Sequence, residues 1–590
     1  MRTASERHFS THDGVALFYR HWPAHGGAAN KAVVIFHRGH EHSGRLQPIV
    51  DELALDDYAM FAWDARGHGC SPGARGDSPG FAASVKDVDT FVRHISTAHD
   101  IPLENISVIG QSVGAVLVSA WVHDYAPAVR CLVLTAPAFK VKLYVPFARA
   151  GLNLLYKLRG NFFITSYIKA KFLTHDAERI RSYDTDPLIT RHISVRILLG
   201  LYDAADRVVP DAQAITLPTQ VLISGNDWVV HQGPQRRFYD NLGSTVKELV
   251  ELPGFLHDTL GEKDRHLALE KIRGFIMRCH AAPVPAISLL DADQHGYTKA
   301  EAARNAEPLP ALSLKNMQFA LTRGSMRTLG RAADGISLGL ATGFDSGATL
   351  DYVYRNQAHG TPPLGRLIDR NYLDAIGWRG IRVRKAHLEQ AIAFAAGQLD
   401  TAHRKARILD IAAGHGRYVI DAVARLAAKP EAILLRDYSD ANVRAGTALL
   451  AQAGLSNIAQ FTTGDAFDEE NLAAVTPAPT LAIASGIYEL FSDNRKVLSS
   501  LRGLARAMDA GSYLIYTGQP WHPQLEFIAR TLTSHRDGKA WVMRRRTQQE
   551  LDQLVRHSGF TKVEQWIDEW GIFTVSVAVR TGQPDQTPGT

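Results

Sequence analysis

This sequence predicts an α/β protein built in two units. Three observations carry that expectation. Short apolar runs alternate with amphipathic stretches along most of the chain, the pattern of strands followed by helices. A glycine-flanked serine, Gly110-Gln111-Ser112-Val113-Gly114, stands between the apolar run Ile106-Ser107-Val108-Ile109 and the helix-like Ala115-Val116-Leu117-Val118. A second glycine turn, Gly414-His415-Gly416, follows another apolar run, Ile408-Leu409-Asp410-Ile411, far along the chain. At 590 residues the chain is too long for one hydrophobic core.

Composition narrows the class. Apolar residues make up 45% and charged residues 21%, ordinary for a soluble globular protein. A net charge of +5 is mild for this length, so no nucleic-acid partner is expected. The three cysteines, Cys70, Cys131 and Cys279, are far apart and form no C-x-x-C pair. That argues against a disulfide framework or zinc knuckle and suits a reducing, cytoplasmic compartment. The first residues lack the apolar core of a signal peptide, and no uncharged run reaches the roughly 18 residues of a membrane span.

In the first unit, residues 1–280, strands are expected at Val33–Phe36, Ala59–Trp63, Ile106–Ile109, Cys131–Thr135 and Val221–Ser224. Between about 139 and 210 the strand pattern stops and a helical cap is inserted. Prolines 283, 285, 308 and 310 suggest a looser connector over 281–340. Within it, Asp291-Ala292-Asp293-Gln294-His295-Gly296 hints at a calcium loop. Ala302 occupies the twelfth position, where a bidentate glutamate is needed, so it reads as a turn.

The second unit, 341–581, has strand candidates at Arg407–Ile411, Ala432–Leu435, Ile458–Thr462, Leu481–Ser485 and Tyr513–Thr517. Two consecutive strands, Lys562–Asp568 and Ile572–Val579, close it. The Gly-, Pro- and Thr-rich tail 582–590 is expected to be disordered.

A G-x-S-x-G between strand and helix is a nucleophile elbow. Its serine needs a base, and the base an orienting acid. Asp227, just past Val221-Leu222-Ile223-Ser224, and His257, in Pro253-Gly254-Phe255-Leu256-His257-Asp258, follow Ser112 in the chain order of this fold. Oxyanion donors are expected from the amides of Val113 and Gly39, the latter in the loop His37–Arg45. A competing reading makes His37, His40, Glu41 and His42 metal ligands. No second ligand cluster supports it, so no metal is expected.

Glu41-His42-Ser43-Gly44-Arg45, Asp64-Ala65-Arg66-Gly67-His68-Gly69-Cys70-Ser71 and the triad order resemble the monoacylglycerol lipase and lysophospholipase group of α/β-hydrolases. The resemblance covers nearly all of 1–280 and implies an α/β-hydrolase fold acting on a lipid-like or small ester. Arg38 departs from it, standing where that group usually has glycine, and would bring a cation toward the substrate head group. In the cap, Leu143, Phe147, Leu154, Leu155, Phe162 and Phe172 interleave with Lys142, Arg149, Lys157, Arg159, Lys169 and Lys171. This suits peripheral contact with an anionic membrane face as well as it suits a cap that merely covers the active site.

In the second unit, Asp410 ends a strand before the glycine turn, Asp437 follows the next strand and Asp465 the one after. Glycines there let a ligand approach the backbone, and a helix amino end favours an anionic group. Val419 breaks the dinucleotide fingerprint, which needs a third small residue. The succession, with its closing strand pair, resembles class I S-adenosylmethionine-dependent methyltransferases, and the stretch before 400 is similar to a bacterial putative-methyltransferase family. A nicotinamide-linked Rossmann enzyme is the rival.

The resemblance implies a Rossmann-like sheet with an antiparallel last strand and S-adenosyl-L-methionine as cofactor. The cofactor-binding positions it implies are Asp410, Ala412, Gly414, Gly416, Asp437, Asp465 and Ser485, with Ala412 standing where that family usually has glycine. Tyr488 and Glu489 fall on the methyl-acceptor side, with His522 a weaker candidate. Segments 343–347, 352–356 and 368–372 read as a substrate-side cover or a structural helical layer.

The whole implies a bifunctional enzyme of lipid metabolism: a serine ester hydrolase joined to a methyltransferase. Two other readings stay open. One makes one half a recruiting module; the other makes the hydrolase half a thioesterase, peptidase or acyltransferase.

Overall fold

The computed structural model describes residues 2–27, 29–283, 287–361, 363–536 and 538–582. Internal contacts divide the chain into one unit ending at Ile287 and another beginning at Ser288. Among the described residues, no helix is long and apolar enough to cross a membrane.

Among its described residues the first unit holds ten strands. They are β1 (Ser5–Ser10), β2 (Ala16–Trp22), β3 (Ala32–Phe36), β4 (Ala59–Trp63), β5 (Ile106–Gln111), β6 (Cys131–Thr135), β7 (Phe163–Thr165), β8 (His192–Ser194), β9 (Thr219–Ser224) and β10 (Lys247–Leu252). Eight form one sheet in the order β1-β2-β4-β3-β5-β6-β9-β10, antiparallel through β1, β2 and β4 and parallel thereafter. The central strands are fully buried, which is why Ala32-Val33-Val34-Ile35-Phe36 is apolar at every position. Val33 and Ile35 pack toward helices Gln47–Leu53 and His266–Ala281. The Phe36 ring meets Phe91 of helix Phe81–Ala98 on the other face. Each such burial contributes about 1.5–3 kcal/mol.

Between β6 and β9 lies the cap. It comprises helices Ala148–Arg159, Ala177–Thr185 and Val195–Val208 and the antiparallel strand pair β7–β8.

The second unit carries β11 (Arg407–Asp410), β12 (Ala432–Asp437), β13 (Ala459–Thr463), β14 (Leu481–Ala484), β15 (Tyr513–Gly518), β16 (Phe560–Ile567) and β17 (Thr574–Arg580). Their order is β13-β12-β11-β14-β15-β17-β16, parallel except for β17, which inserts antiparallel between β15 and β16. Leu388, Ala391, Ile392, Ala395 and Leu399 of the long helix Ile376–Thr401 pack on one face of this sheet. Helices Asn494–Ala507 and Gln548–His557 cover the other.

The stretch expected as a loose connector is otherwise. From Ser288 it belongs to the second unit, as helices Ala292–His295, Tyr297–Ala306, Leu314–Arg327 and Asp334–Thr342. Pro308 and Pro310 only separate two of these helices. Distant partners hold the layer in place. Asn494 Nδ2 donates to the Leu290 carbonyl at 3.1 Å, Arg544 donates to Thr298 Oγ1 at 2.9 Å, and Arg545 pairs with Glu301 at 2.6 Å. Pro285 and the tail from 583 lie outside the described residues.

Candidate active sites

In the first unit, β5 ends at Gln111 and helix Val113–Tyr125 begins two residues later, leaving Ser112 at φ 54°, ψ −110°. That sparsely populated conformation costs about 1–3 kcal/mol and thrusts the side chain out of the turn. A Cβ on Gly114 would lie 2.5 Å from the Phe36 carbonyl oxygen and 2.6 Å from that of His37. The start of the helix is therefore pressed against the end of β3.

Ser112 Oγ lies 2.7 Å from His257 Nε2, and His257 Nδ1 lies 2.8 Å from Asp227 Oδ2. Asp227 Oδ1 accepts the amides of Val229 at 2.7 Å and Val230 at 2.9 Å. Burial alone would raise this carboxyl. The facing His257 and the two amides outweigh it and hold it below the usual carboxylate range. All three side chains are buried, so the hydrogen-bonded chain lies in a low-dielectric setting.

The loop after β3 brings Gly39 beside Val113, whose Cγ2 stands 3.3 Å from where a Gly39 Cβ would be. Arg38 does not face the substrate region. Its guanidinium is buried with Glu41 at 2.9 Å and Asp258 at 3.6 Å, and lies over the Tyr183 ring. Arg179 of the cap joins the same two carboxylates at 3.2 and 3.1 Å, and Arg45 reaches Glu41 at 2.8 Å. A buried cation left alone would be prohibitive, so these charges collect into one cluster, with Asp186 a third carboxylate 3.8 Å from Arg45.

Glu41 is thereby committed to arginines rather than to a metal, and His42 Nε2 pairs with Asp186 at 3.0 Å. Among the described residues, His12, Asp13 and Asp87 come near enough together to ligate an ion. Arg66 already bridges both of those carboxylates.

In the second unit, Gly414 and Gly416 take φ of 58° and 72°, turning the chain out of β11 into helix Arg417–Arg425. Asp410 is fully buried. Its carboxyl is pushed up to about 7 by burial, against the opposing hydrogen bonds from the Tyr418 hydroxyl and the Ala412 amide. Asp437 accepts the amides of Gly414 at 3.0 Å and Ser439 at 2.9 Å, and Asn442 Nδ2 at 3.0 Å. Asp465 stays exposed and accepts the Phe467 amide at 2.9 Å. A carboxylate offers about four lone-pair sites, so both acids keep acceptor capacity at the open edge of the sheet. A Cβ on Gly414 would stand in van der Waals contact with the Gly347 Cα, at 3.6 Å. These residues fit an adenosine-bearing cofactor. Ser485, buried, closes the series after β14.

Beyond β14 and β15 lies a cavity of about 360 Å³. It is walled by Trp378, Ile381, Phe527, Trp541, Met543 and Phe573, with Arg384, Glu489, Gln519 and His522 among them. Tyr488 does not line it. Its ring is buried in the core beneath the sheet, and its hydroxyl lies 3.0 Å from Ser500 Oγ. Glu489, the next residue, points the other way, with Oε1 accepting from Thr517 Oγ1 at 2.8 Å. Burial holds the His522 imidazole down to about 4.

A family model described as "Putative methyltransferase" matches residues 272–580, more than half of the chain. The chain belongs to that family. A second model, described as "Serine aminopeptidase, S33", matches 27–264, the α/β-hydrolase unit. The YnbC protein of Escherichia coli (strain K12) is 56% identical over 581 residues, covering 98% of this chain and 99% of that one. A monoacylglycerol lipase of Mycolicibacterium smegmatis (strain ATCC 700084 / mc(2)155) is 26% identical over 47% of this chain and 98% of its own. A crystal structure of Paleococcus ferrophilus monoacylglycerol lipase is 22% identical at a TM-score of 0.40, over 47% of this chain and 99% of that one.

Within this family member, several site residues have no sequence signal of their own. Asp258 and Arg179 join the oxyanion loop to the cap, and Asp351 pairs with Arg417 just past the glycine turn. Arg384, Gln519 and Trp541 reach the cavity from three separate segments. Asp345, in the turn before helix Gly347–Arg355, and Tyr372, on helix Leu364–Leu373, line the cavity.

Proposed function

We propose that the chain is a bifunctional enzyme of lipid metabolism, a serine ester hydrolase of the lysophospholipase or monoacylglycerol lipase kind joined to an S-adenosyl-L-methionine-dependent methyltransferase. The observation that carries the first half is the buried relay from Ser112 through His257 to Asp227, at 2.7 and 2.8 Å. Ser112 Oγ attacks the ester carbonyl while His257 Nε2 takes its proton. Asp227 holds the ring in the tautomer that leaves Nε2 free to accept, and stabilises the imidazolium. The amides of Gly39 and Val113 donate to the oxyanion. His257 then gives its proton to the departing alcohol, and water activated by the same ring cleaves the acyl-enzyme. Labelling by a fluorophosphonate probe tests this. Loss of label in Ser112→Ala supports it, and a native protein that takes no label refutes it.

For the second half, Asp437 holds ribose hydroxyls, Asp465 meets the adenine amino group, and the turn at Gly414 and Gly416 admits the cofactor to the backbone. Bound S-adenosyl-L-methionine supplies an electrophilic methyl group. Calorimetry against NAD decides this half, since binding of NAD without S-adenosylmethionine overturns it.

The lipid setting is supported by the outer face of the cap. Helix Ala148–Arg159 has no buried residue; Phe147 just before it is 89% exposed, and Leu158, between Lys157 and Arg159, is 78% exposed. Exposed apolar side chains among cations suit the cytoplasmic face of an anionic bilayer. Sedimentation with anionic liposomes, lost in Phe147→Ser with Leu158→Ser, tests it. Absence of binding by the native protein removes this part of the reading.

A further inference from the structure

The cavity beyond β14 and β15 has a mismatch between its walls and its polar groups. Its lining is mainly aromatic and aliphatic. Yet five buried polar atoms on residues that line it have no hydrogen-bond partner among the described residues: Glu489 Oε2, Gln519 Nε2, Trp541 Nε1, Arg384 Nε and Tyr372 Oη. The first four of these residues are at most 8% exposed. An unsatisfied buried polar group costs about 1–3 kcal/mol, and natural interiors leave few of them. Five on one cavity, one acceptor, three N–H donors and a hydroxyl able to do either, describe the complement of a ligand head group.

We propose that this cavity is the methyl-acceptor site and that its ligand is a small, mainly apolar molecule bearing a hydroxyl group. The assignment rests on the methyltransferase reading of the second unit. A volume of about 360 Å³ lies at the lower end of the range that holds a compact small molecule. A hydroxyl both donates and accepts. Its proton meets Glu489 Oε2, and its oxygen lone pairs take N–H groups of the kind Gln519 and Trp541 present. An ammonium head group fits poorly, because it has nothing to accept those N–H groups and would stand beside the Arg384 guanidinium, 3.8 Å from Glu489 Oε1. In the transfer, the hydroxyl oxygen forms the new O–CH3 bond as the S–CH3 bond of the sulfonium donor breaks. The S–C electron pair stays on sulfur, and the hydroxyl proton passes to Glu489 Oε2 and then to solvent.

The test is binding to the full-length protein, read by the fluorescence of its tryptophans, of which Trp378 and Trp541 line the cavity. The probes are para-hexylphenol and decanol, the methyl ether of each, and para-hexylbenzylamine. At least one hydroxyl compound is expected to bind about tenfold or more tightly than its own ether, and more tightly than the amine. Ile381→Trp, which fills the cavity, is expected to abolish that binding. The phenol and decanol arms distinguish an aryl from an alkyl acceptor. Equal binding of alcohol and ether, tighter binding of the amine, or no binding of either alcohol by a protein that binds S-adenosylmethionine overturns the proposal. Discrimination of alcohol from ether without any S-adenosylmethionine binding strikes the methyltransferase reading instead, and leaves the ligand class standing.

Discussion

Asp227→Asn separates orientation from mere presence in the hydrolase relay. Asp227 Oδ1 is held by two backbone amides, Val229 at 2.7 Å and Val230 at 2.9 Å. An asparagine keeps those bonds only by placing its carbonyl oxygen at that position, which turns its NH2 toward His257 Nδ1. The imidazole must then accept at Nδ1 and carry its proton on Nε2, the atom 2.7 Å from Ser112 Oγ. A protonated Nε2 cannot take the serine proton. A wrong tautomer of this kind costs about 10⁴-fold in kcat, or about 5.5 kcal/mol of transition-state stabilisation. The assay is hydrolysis of a short para-nitrophenyl ester near pH 7, with a thermal melt as control, since the two amide bonds and the fold are retained. Activity within tenfold of native, with an unchanged melt, would refute the tautomer argument.

Three further outcomes follow from the same geometry. Gly114→Ala drives a methyl group into the Phe36 and His37 carbonyl oxygens, so a loss of about 1–3 kcal/mol is expected in denaturant unfolding of the first unit. Asp410 titrates near 7 because burial favours its neutral form, and a nearby sulfonium would favour the charged one. S-adenosylmethionine binding near pH 6.5 should therefore release a fraction of a proton, seen calorimetrically in buffers of different ionisation enthalpy and lost in Asp410→Asn. His522 stays neutral in the fold down to about 4, whereas an unfolded histidine protonates near 6.5. The unfolded state thus binds the extra proton between these values. Stability of the second unit should fall by about 1.4 kcal/mol per pH unit on this account as pH drops through that window, and His522→Gln should flatten the slope.

The strands that build both sites were legible because they are buried on both faces and so are apolar throughout. Ala59–Trp63 and Cys131–Thr135 fall where the sequence expects them. Edge strands were not. Lys247-Glu248-Leu249-Val250-Glu251-Leu252 is charged because only part of it is covered, yet it is the strand that leads into the His257 loop. The prolines near 308 misled for a related reason. Composition marks a break between helices but not whether the helices dock, and here docking depends on Arg544 and Arg545, more than two hundred residues away.

Local backbone chemistry alone determined the serine elbow, the glycine turn after Asp410 and the succession of acids at strand ends. Each of these depends on residues adjacent in the chain. Tertiary packing alone decided that Arg38 turns into a charge cluster, that Tyr488 faces the core while Glu489 faces a cavity, and that five residues with unpartnered polar atoms line it. Neighbours in sequence point to opposite sides of a turn, and only the surrounding segments settle which side is water, core or ligand.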